Sequence, residues 1–321
     1  EDIQEASKIL FEHRLNKTGL SSLKHLEPKT INDAYKIQEN LKLRYLELKD
    51  NFCIGKKVGC TSLAAQKQMN IKEPFHGNLF YRYSSNNINL LNSKNFFEPY
   101  VEPEISFRIK DDINISKAPF KFQDLDYLLD GLFCSIEIVD FRFRKPLSEI
   151  GALNVISTNG ASEFWIRDEN LIKIKDVDLN NFEVSLLIND TIVDTGNTKN
   201  VLDNPLNAVL WLINNLAEKG EPMLKGQFIS SGSCTKAFRI YPKSKIKVAL
   251  GGGCALGIRD TSWHLSGFKS LGADNTLNRG YVNIYSKNGL KGNIFKFPKV
   301  TVTGSSNLIM ASVLILSLIH I

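Results

Sequence analysis

Apolar positions recur with two different periods along this 321-residue chain. Over residues 1–48 they follow the helical repeat, which predicts two helices. Ile31, Ala34, Ile37, Leu41 and Tyr45 mark one face of the second, and Thr30 with Asp33 forms the pattern of a capping box at its start. "NFCIGKKVG" (51–59) reads as a strand running into a loop, and "SLAAQKQMN" (62–70) as a short helix. From about residue 97 the pattern becomes that of strands. "VEPEISFRI" (101–109), "GLFCSIEIVDFRF" (131–143) and "FEVSLLINDTIVDTG" (182–196) are rich in β-branched and aromatic residues, and the last predicts a hairpin turning at Asn189–Asp190. "NPLNAVLWLINNLAEKG" (204–220) predicts a long helix, with Asn204 as cap, Pro205 at its first position and Gly220 as its stop. "GQFISSGSCT" (226–235) and "SKIKVAL" (244–250) return to strand. The order predicts an α+β fold: helices first, then a largely antiparallel or mixed sheet crossed by one long helix. The expected divisions are an N-terminal helical part over 1–75, a sheet domain over 76–250, and a segment over 251–321 of different character, entered through a glycine-rich hinge.

Charge sharpens that last division. Of the net charge of +6, residues 251–321 supply +5, from seven Lys/Arg against Asp260 and Asp274. The first 250 residues are therefore almost neutral. No basic run is interleaved with stacking aromatics, which argues against nucleic acid. The final apolar run, 308–321, falls short of the roughly 20 residues of a membrane span, so no membrane role is expected. Five scattered cysteines (Cys53, Cys60, Cys134, Cys234, Cys254) make no CxxC pair, which fits a reduced cytoplasmic compartment and argues against zinc. The chain begins at Glu1 rather than Met and opens on no basic-then-apolar leader.

The chemistry lies in "VEPEISF" (101–107). Residues two apart on a strand share a face, so Glu102 and Glu104 stand side by side, about 7 Å apart at the backbone, among core-type residues. Paired carboxylates there repel, and burying them unpaired is costly. One resolution is a hard divalent cation, Mg²⁺ or Mn²⁺, with a third oxygen ligand from Glu137, which sits between Ile136 and Ile138 in another strand. The other is a solvated edge strand, which Pro103 permits.

"VEPEISF" followed about thirty residues later by "IEIVDFR" resembles the family of 2-oxopent-4-enoate hydratases and 4-oxalocrotonate decarboxylases, within the fumarylacetoacetate hydrolase superfamily. "TINDAYKIQ", "GKKVGCTS", "IKEPFHGNLF" (its following loop), "NPLNAVLWLINNLAEKG" and "GQFISSGSCT" continue the resemblance, in order, over most of residues 1–250. The resemblance implies a mixed β-roll holding Mg²⁺ or Mn²⁺ on Glu102, Glu104 and Glu137. It also implies a homo-oligomer, and a metal-dependent lyase acting on small 2-oxo or 2-hydroxy-dienoic acids of aromatic catabolism. Hydration of 2-hydroxypenta-2,4-dienoate to 4-hydroxy-2-oxopentanoate is the leading reaction; decarboxylation of a 2-oxo acid and acylpyruvate hydrolysis are the alternatives. Lys57 matches the family lysine, as a carboxylate holder or proton carrier, a role that burial would favour if it lowers the lysine's pKa. Ser231, Ser233 and Thr235 match its substrate loop, and Asn159 a segment that usually carries an acidic residue where this chain has Thr158. His76 is expected in a loop or core. Asp140, Arg142 and Arg144 are expected in ion pairs.

Residues 251–315 resemble instead a fragment of the UDP-N-acetylglucosamine 1-carboxyvinyltransferases. Cys254 and Arg259 match that family's catalytic loop, and His264 follows. Asp260 stands where the family usually has Pro. The match covers too little of a closed two-domain barrel to assemble a site, so the segment is expected to be inactive, an addition to a chimeric chain. The alternatives are a transferase function or an inactive product.

Overall fold

The computed structural model describes residues 1–86, 91–168, 170–250, 261–278, 281–297 and 308. Two helices open the chain, α1 (Asp2–Leu15) and α2 (Ile31–Leu46). Next come β1 (Cys53–Gly59), α3 (Leu63–Met69), β2 (Phe75–Phe80) and the two-residue β3 (Ser84–Ser85). The long strands β4 (Tyr100–Ile109) and β5 (Leu129–Val139) are separated by the single turn α4 (Leu125–Leu128). Short helices α5 (Leu147–Ile150) and α6 (Ala152–Ser157) lead to β6 (Ser162–Arg167). The hairpin β7 (Glu183–Ile188) and β8 (Thr191–Asn197), helix α7 (Pro205–Glu218), and strands β9 (Phe228–Ser233), β10 (Phe238–Arg239) and β11 (Ile246–Leu250) follow.

Capping explains the helix starts. Thr30 accepts from the Asp33 amide while Asp33 accepts from that of Thr30, completing the capping box. Asn204 accepts from the Leu206 amide ahead of Pro205. The β7–β8 turn places Asn189 and Asp190 at φ 52° and 61°, the left-handed pair that a two-residue hairpin requires.

Eight strands form one mixed sheet in the order β2-β1-β9-β4-β5-β6-β3, with β10 added to β4. β1 pairs parallel with β9, and β4 runs antiparallel to both β9 and β5. β1 therefore lies inside this sheet, although it belongs to the stretch assigned to the helical part. β4 is an inner strand, so the solvated-edge reading of Glu102 and Glu104 does not hold. Glu102 lies directly opposite Glu137. Helices α1 and α2 bury Ala6, Leu10, Ala34, Ile37, Leu41 and Tyr45 against Phe75, Phe80, Val139 and Phe143. "FHGNLF", expected as a loop, is β2, and all six of its residues are buried. With both faces covered, it shows no alternation from which a strand could be read.

The chain divides into two compact units, Glu1–Gly252 and Gly253–Ile321. In the second, helix α8 (Thr261–Ser270) precedes the hairpin of β12 (Asp274–Asn278) and β13 (Tyr281–Tyr285). Leu271 and Leu308 form a small apolar cluster with Phe268, Leu290, Phe295 and Phe297. Cys254 and Arg259 lie outside the described residues. The four described cysteines are free, and no described helix is long and apolar enough to cross a membrane.

Candidate metal centre

Strands β4 and β5 bring Glu102, Glu104 and Glu137 together, with one carboxylate oxygen from each within 4.8 Å of the others. Glu104 and Glu137 are buried, at 2% and 0% exposure, and Glu102 is half-buried. Lys57 projects from β1 into the same cluster, its ammonium 3.0 Å from Glu137 Oε2 and donating to the Gly160 carbonyl at 3.0 Å.

This one ammonium does not balance three carboxylates. Burial pushes Glu102 up to about 7, with Glu137 adding to the rise and Lys57 opposing it. Burial, then Glu137 and Glu102, hold Glu104 well above the usual carboxylate range. For Lys57 the sequence expectation reverses. Burial alone would lower its pKa, but Glu137, Glu102 and Glu104 together hold it above the ordinary lysine value. Lys57 is thus a fixed cation.

Glu104 is also aimed. Its Oε2 accepts from Ser230 Oγ and from the Gly232 amide at 3.2 Å. Ser230 in turn accepts from Trp165 Nε1 and from Ser106 Oγ, both at 3.1 Å. Gly232, at φ 113°, admits no side chain, since a Cβ there would meet Thr61 Oγ1 at 2.2 Å. With Oε2 so held, Glu104 Oε1 and both oxygens of Glu137 are buried without a hydrogen-bond partner. Lys57 is close to Glu137 but out of hydrogen-bond alignment. Three orphaned carboxylate oxygens on a cluster two negative charges out of balance fit one hard divalent cation, and one such ion cancels the excess.

The remaining candidates divide. Ser233 and Thr235 line a cavity of about 920 Å³ together with Glu102 and Glu104. Their hydroxyls donate to the carbonyls of Thr235 and Lys236, each at 2.8 Å. Ser231 is fully buried and donates to the Ile105 carbonyl at 2.6 Å. Asn159 spends its amide on Asn78: Oδ1 accepts from the Asn78 amide at 2.7 Å, and Nδ2 donates to the Asn78 carbonyl at 2.8 Å. It opens a run of three left-handed residues, Asn159, Gly160 and Ala161. Such backbone costs roughly 1–2 kcal/mol per non-glycine residue, and here it presents the Gly160 carbonyl to Lys57. His76 is a buried core residue of β2, its ring tilted by 30° against that of Tyr35. Arg142 pairs with Glu163 at 2.7 Å, Asp140 accepts from the Phe97 and Glu98 amides, and Arg144 makes no ion pair among the described residues. Sequence reasoning missed Ser230, whose hydroxyl reads like any other in a serine-rich strand.

Two expectations follow. Ser230→Ala should lower Mg²⁺ affinity about 10- to 100-fold, the usual effect of losing a partner that orients a ligand. Calorimetry on the folded variant measures this, and Ser230→Thr should recover part of the loss. The second concerns pH. Glu102 and Glu104 have raised pKa values when folded, so the stability they contribute without metal is fully present below about 4.3 and is lost as pH rises through the folded value, about 7 for Glu102. A cation needs these groups deprotonated. The rise in Tm that Mg²⁺ produces over EDTA should therefore grow between about pH 5 and 8. An increment flat across that range would contradict the site.

No family model matches the chain. It is 30% identical over 224 residues to 4-oxalocrotonate decarboxylase of Pseudomonas putida, covering 68% of this chain and 81% of the relative. It is 27% identical over 242 residues to 2-keto-4-pentenoate hydratase of Paraburkholderia xenovorans (strain LB400), covering 74% and 87%. In structure it is similar to 4-oxalocrotonate decarboxylase from Pseudomonas putida G7, complexed with magnesium and adipate. The TM-score is 0.72 at 26% identity, over 77% of this chain and 93% of that one. The same enzyme has also been solved with calcium and acetate. A mixed sheet carrying a three-carboxylate centre beside a cavity defines the class, an enzyme built around a divalent metal. The chain belongs to the family of 4-oxalocrotonate decarboxylases and 2-keto-4-pentenoate hydratases. These relatives lend no support to the carboxyvinyltransferase resemblance of residues 251–315.

Proposed function

We propose that residues 1–252 form a divalent-metal-dependent lyase acting on small 2-oxo or 2-hydroxy-dienoic acids from aromatic ring cleavage. The observation that carries this reading is the trio Glu102, Glu104 and Glu137, with three buried oxygens unpartnered, at a cavity large enough for such an acid. These residues would hold Mg²⁺, with Mn²⁺ as the alternative. When bound, the ion supplies Lewis-acid polarisation of a 2-oxo carbonyl.

The chain's own groups supply the rest. Ser230 and the Gly232 amide fix Glu104, and the Gly160 carbonyl fixes Lys57. Lys57 keeps its proton, which suits it to hold negative charge that develops on the substrate or to give up a proton, rather than to act as a resting base. Ser233 and Thr235 present hydroxyls on the cavity wall, where their oxygens can accept from a substrate hydroxyl or a water. Hydration and decarboxylation both need an electron sink at the 2-oxo end. In the first, water adds across the conjugated system; in the second, the electrons of a broken C–C bond enter it as CO₂ leaves. The same residues serve either.

Product analysis by NMR, with Mg²⁺ and a panel of 2-hydroxydienoic, 2-oxo and acylpyruvic acids, tests the reading. Turnover that EDTA abolishes is expected; no metal-dependent turnover on any member would overturn it. Cys254 and Arg259 have no part in this function. A chain ending at residue 252 keeps every proposed site residue and the whole of the first unit, so it should retain Mg²⁺ affinity and turnover. Loss of metal binding on that truncation would show that the second unit is needed.

A further inference from the structure

Lys56, the neighbour of the metal-centre lysine, begins a buried polar chain that leads back to Lys57. Successive residues of a strand face opposite ways, so Lys57 turns to the three glutamates and Lys56 to the other face of the sheet. There Lys56 is buried, and its ammonium donates to Asn78 Oδ1 at 2.9 Å and to Glu221 Oε2 at 3.0 Å. Asn78, its partner across the β1–β2 ladder, is buried too.

An ammonium only donates, so Lys56 fixes which end of the Asn78 amide accepts. With Oδ1 taken, Nδ2 points to Asn159, where it donates to Oδ1 at 3.0 Å. A flipped amide would set its oxygen against that of Asn159 and its NH₂ against the ammonium. Together with its bonds to the Asn78 main chain, the Asn159 side chain is held by three hydrogen bonds, all to Asn78. The fit is close, since a Cβ on Gly77 would meet the Asn159 carbonyl oxygen at 2.4 Å.

This clamp explains how an unfavourable turn persists. Asn159 and Ala161 are non-glycine residues at φ 63° and 58°, on either side of Gly160 at φ 64°. Backbone of this kind lasts only where its surroundings over-determine it. The result is a placed carbonyl. Gly160 accepts from Lys57 Nζ at 3.0 Å, and that bond, with Glu137 at 3.0 Å, sets where the ammonium stands.

We propose that Asn78 is a positioning residue: locked by Lys56 from the far face of the sheet, it holds the Asn159–Gly160 turn and so keeps the Lys57 ammonium where it meets the substrate. Asn78 itself does not line the cavity. The inference rests on the function proposed above and deepens it, extending the machinery through the sheet to Glu221, just beyond α7.

The test uses the full chain with saturating Mg²⁺ and an acid of the panel that is turned over. Asn78→Leu should lower kcat about 10- to 100-fold, since misplacing a reacting group by about 1 Å costs roughly 100-fold. KM and the Kd for Mg²⁺ should stay near their wild-type values. Lys56→Met should lower kcat several-fold in the same way. It leaves behind only the partly exposed Glu221 and the Asn78 amide, so it serves where Asn78→Leu does not fold. Joined to Lys57→Met, neither variant should cost further rate, because the ammonium they position is gone. Rate losses that multiply, or a kcat unmoved by both variants, overturn the proposal. Melting in EDTA needs no substrate. The fall in Tm caused by Lys57→Met should be smaller in the Asn78→Leu and Lys56→Met backgrounds than in the wild type, and equal falls overturn the proposal. If no acid is turned over, the proposed function falls, and the melting curves still decide whether Asn78 holds Lys57.

Discussion

Glutamine in place of Glu137 should leave a folded protein that no longer holds a divalent cation. Glu137 is fully buried, and neither of its oxygens has a hydrogen-bond partner. Losing an outer-sphere partner costs 10- to 100-fold, so loss of a charged direct ligand should weaken Mg²⁺ binding by about 10³-fold or more, and turnover should fall with it. Stability should move the other way when metal is withheld. The substitution removes one of three repelling carboxylates, while Lys57 keeps Glu102 and Glu104 nearby. In EDTA the variant should melt no lower than the wild type, and Mg²⁺ should no longer raise its Tm. An Mg²⁺-dependent rise of wild-type size would show that the ion sits elsewhere.

Methionine in place of Lys57 should do the reverse to the metal-free protein. Lys57 is 2% exposed and 3.0 Å from Glu137. Removing one partner of a buried pair leaves an uncompensated charge and costs about 3–5 kcal/mol. For a unit of this size that is a fall in Tm of roughly 6–20 °C in EDTA. Mg²⁺ should restore much of that stability, because the ion can take over the balancing of the carboxylates. It should not restore the rate. If the ammonium transfers a proton to the substrate, kcat should stay about 10²–10⁴ below wild type even with saturating metal. Recovery of both stability and rate would make Lys57 a counter-ion only.

Local signals carried the fold where they act over a few residues. The Thr30–Asp33 box, the Asn204–Pro205 start and the Asn189–Asp190 turn are all realised, because each depends on neighbours in the chain. The Glu-x-Glu pair was legible for a related reason. Two carboxylates on one face of an otherwise apolar strand contradict the pattern around them, and that contradiction marks the site. What was not legible depends on partners far along the chain. β2 is buried on both faces and has no period. The three carboxylates that raise Lys57 lie 45 to 80 residues away, so burial alone predicted the wrong direction. Asn159 looked available to a substrate, but its partner is Asn78. Arg144 looked like one more ion-pairing arginine, and its neighbours proved to be the Gly19 carbonyl and the Phe97 ring.

The pairing of β4 with β5 has a consequence for assembly. Glu102 meets Glu137 directly across the ladder, and like charges so placed oppose the pairing that puts them there. A slip of one residue would turn Glu137 to the other face and relieve the repulsion. Without a cation, then, repulsion between these carboxylates opposes the correct alignment, and the buried apolar residues, Lys57 and the pairing of β4 with β9 enforce it. With a cation, the same three carboxylates reward that alignment alone, since a slipped ladder offers no three-oxygen cage. Binding of an ion at this trio would therefore favour the correct register of β4 and β5 over a slipped one.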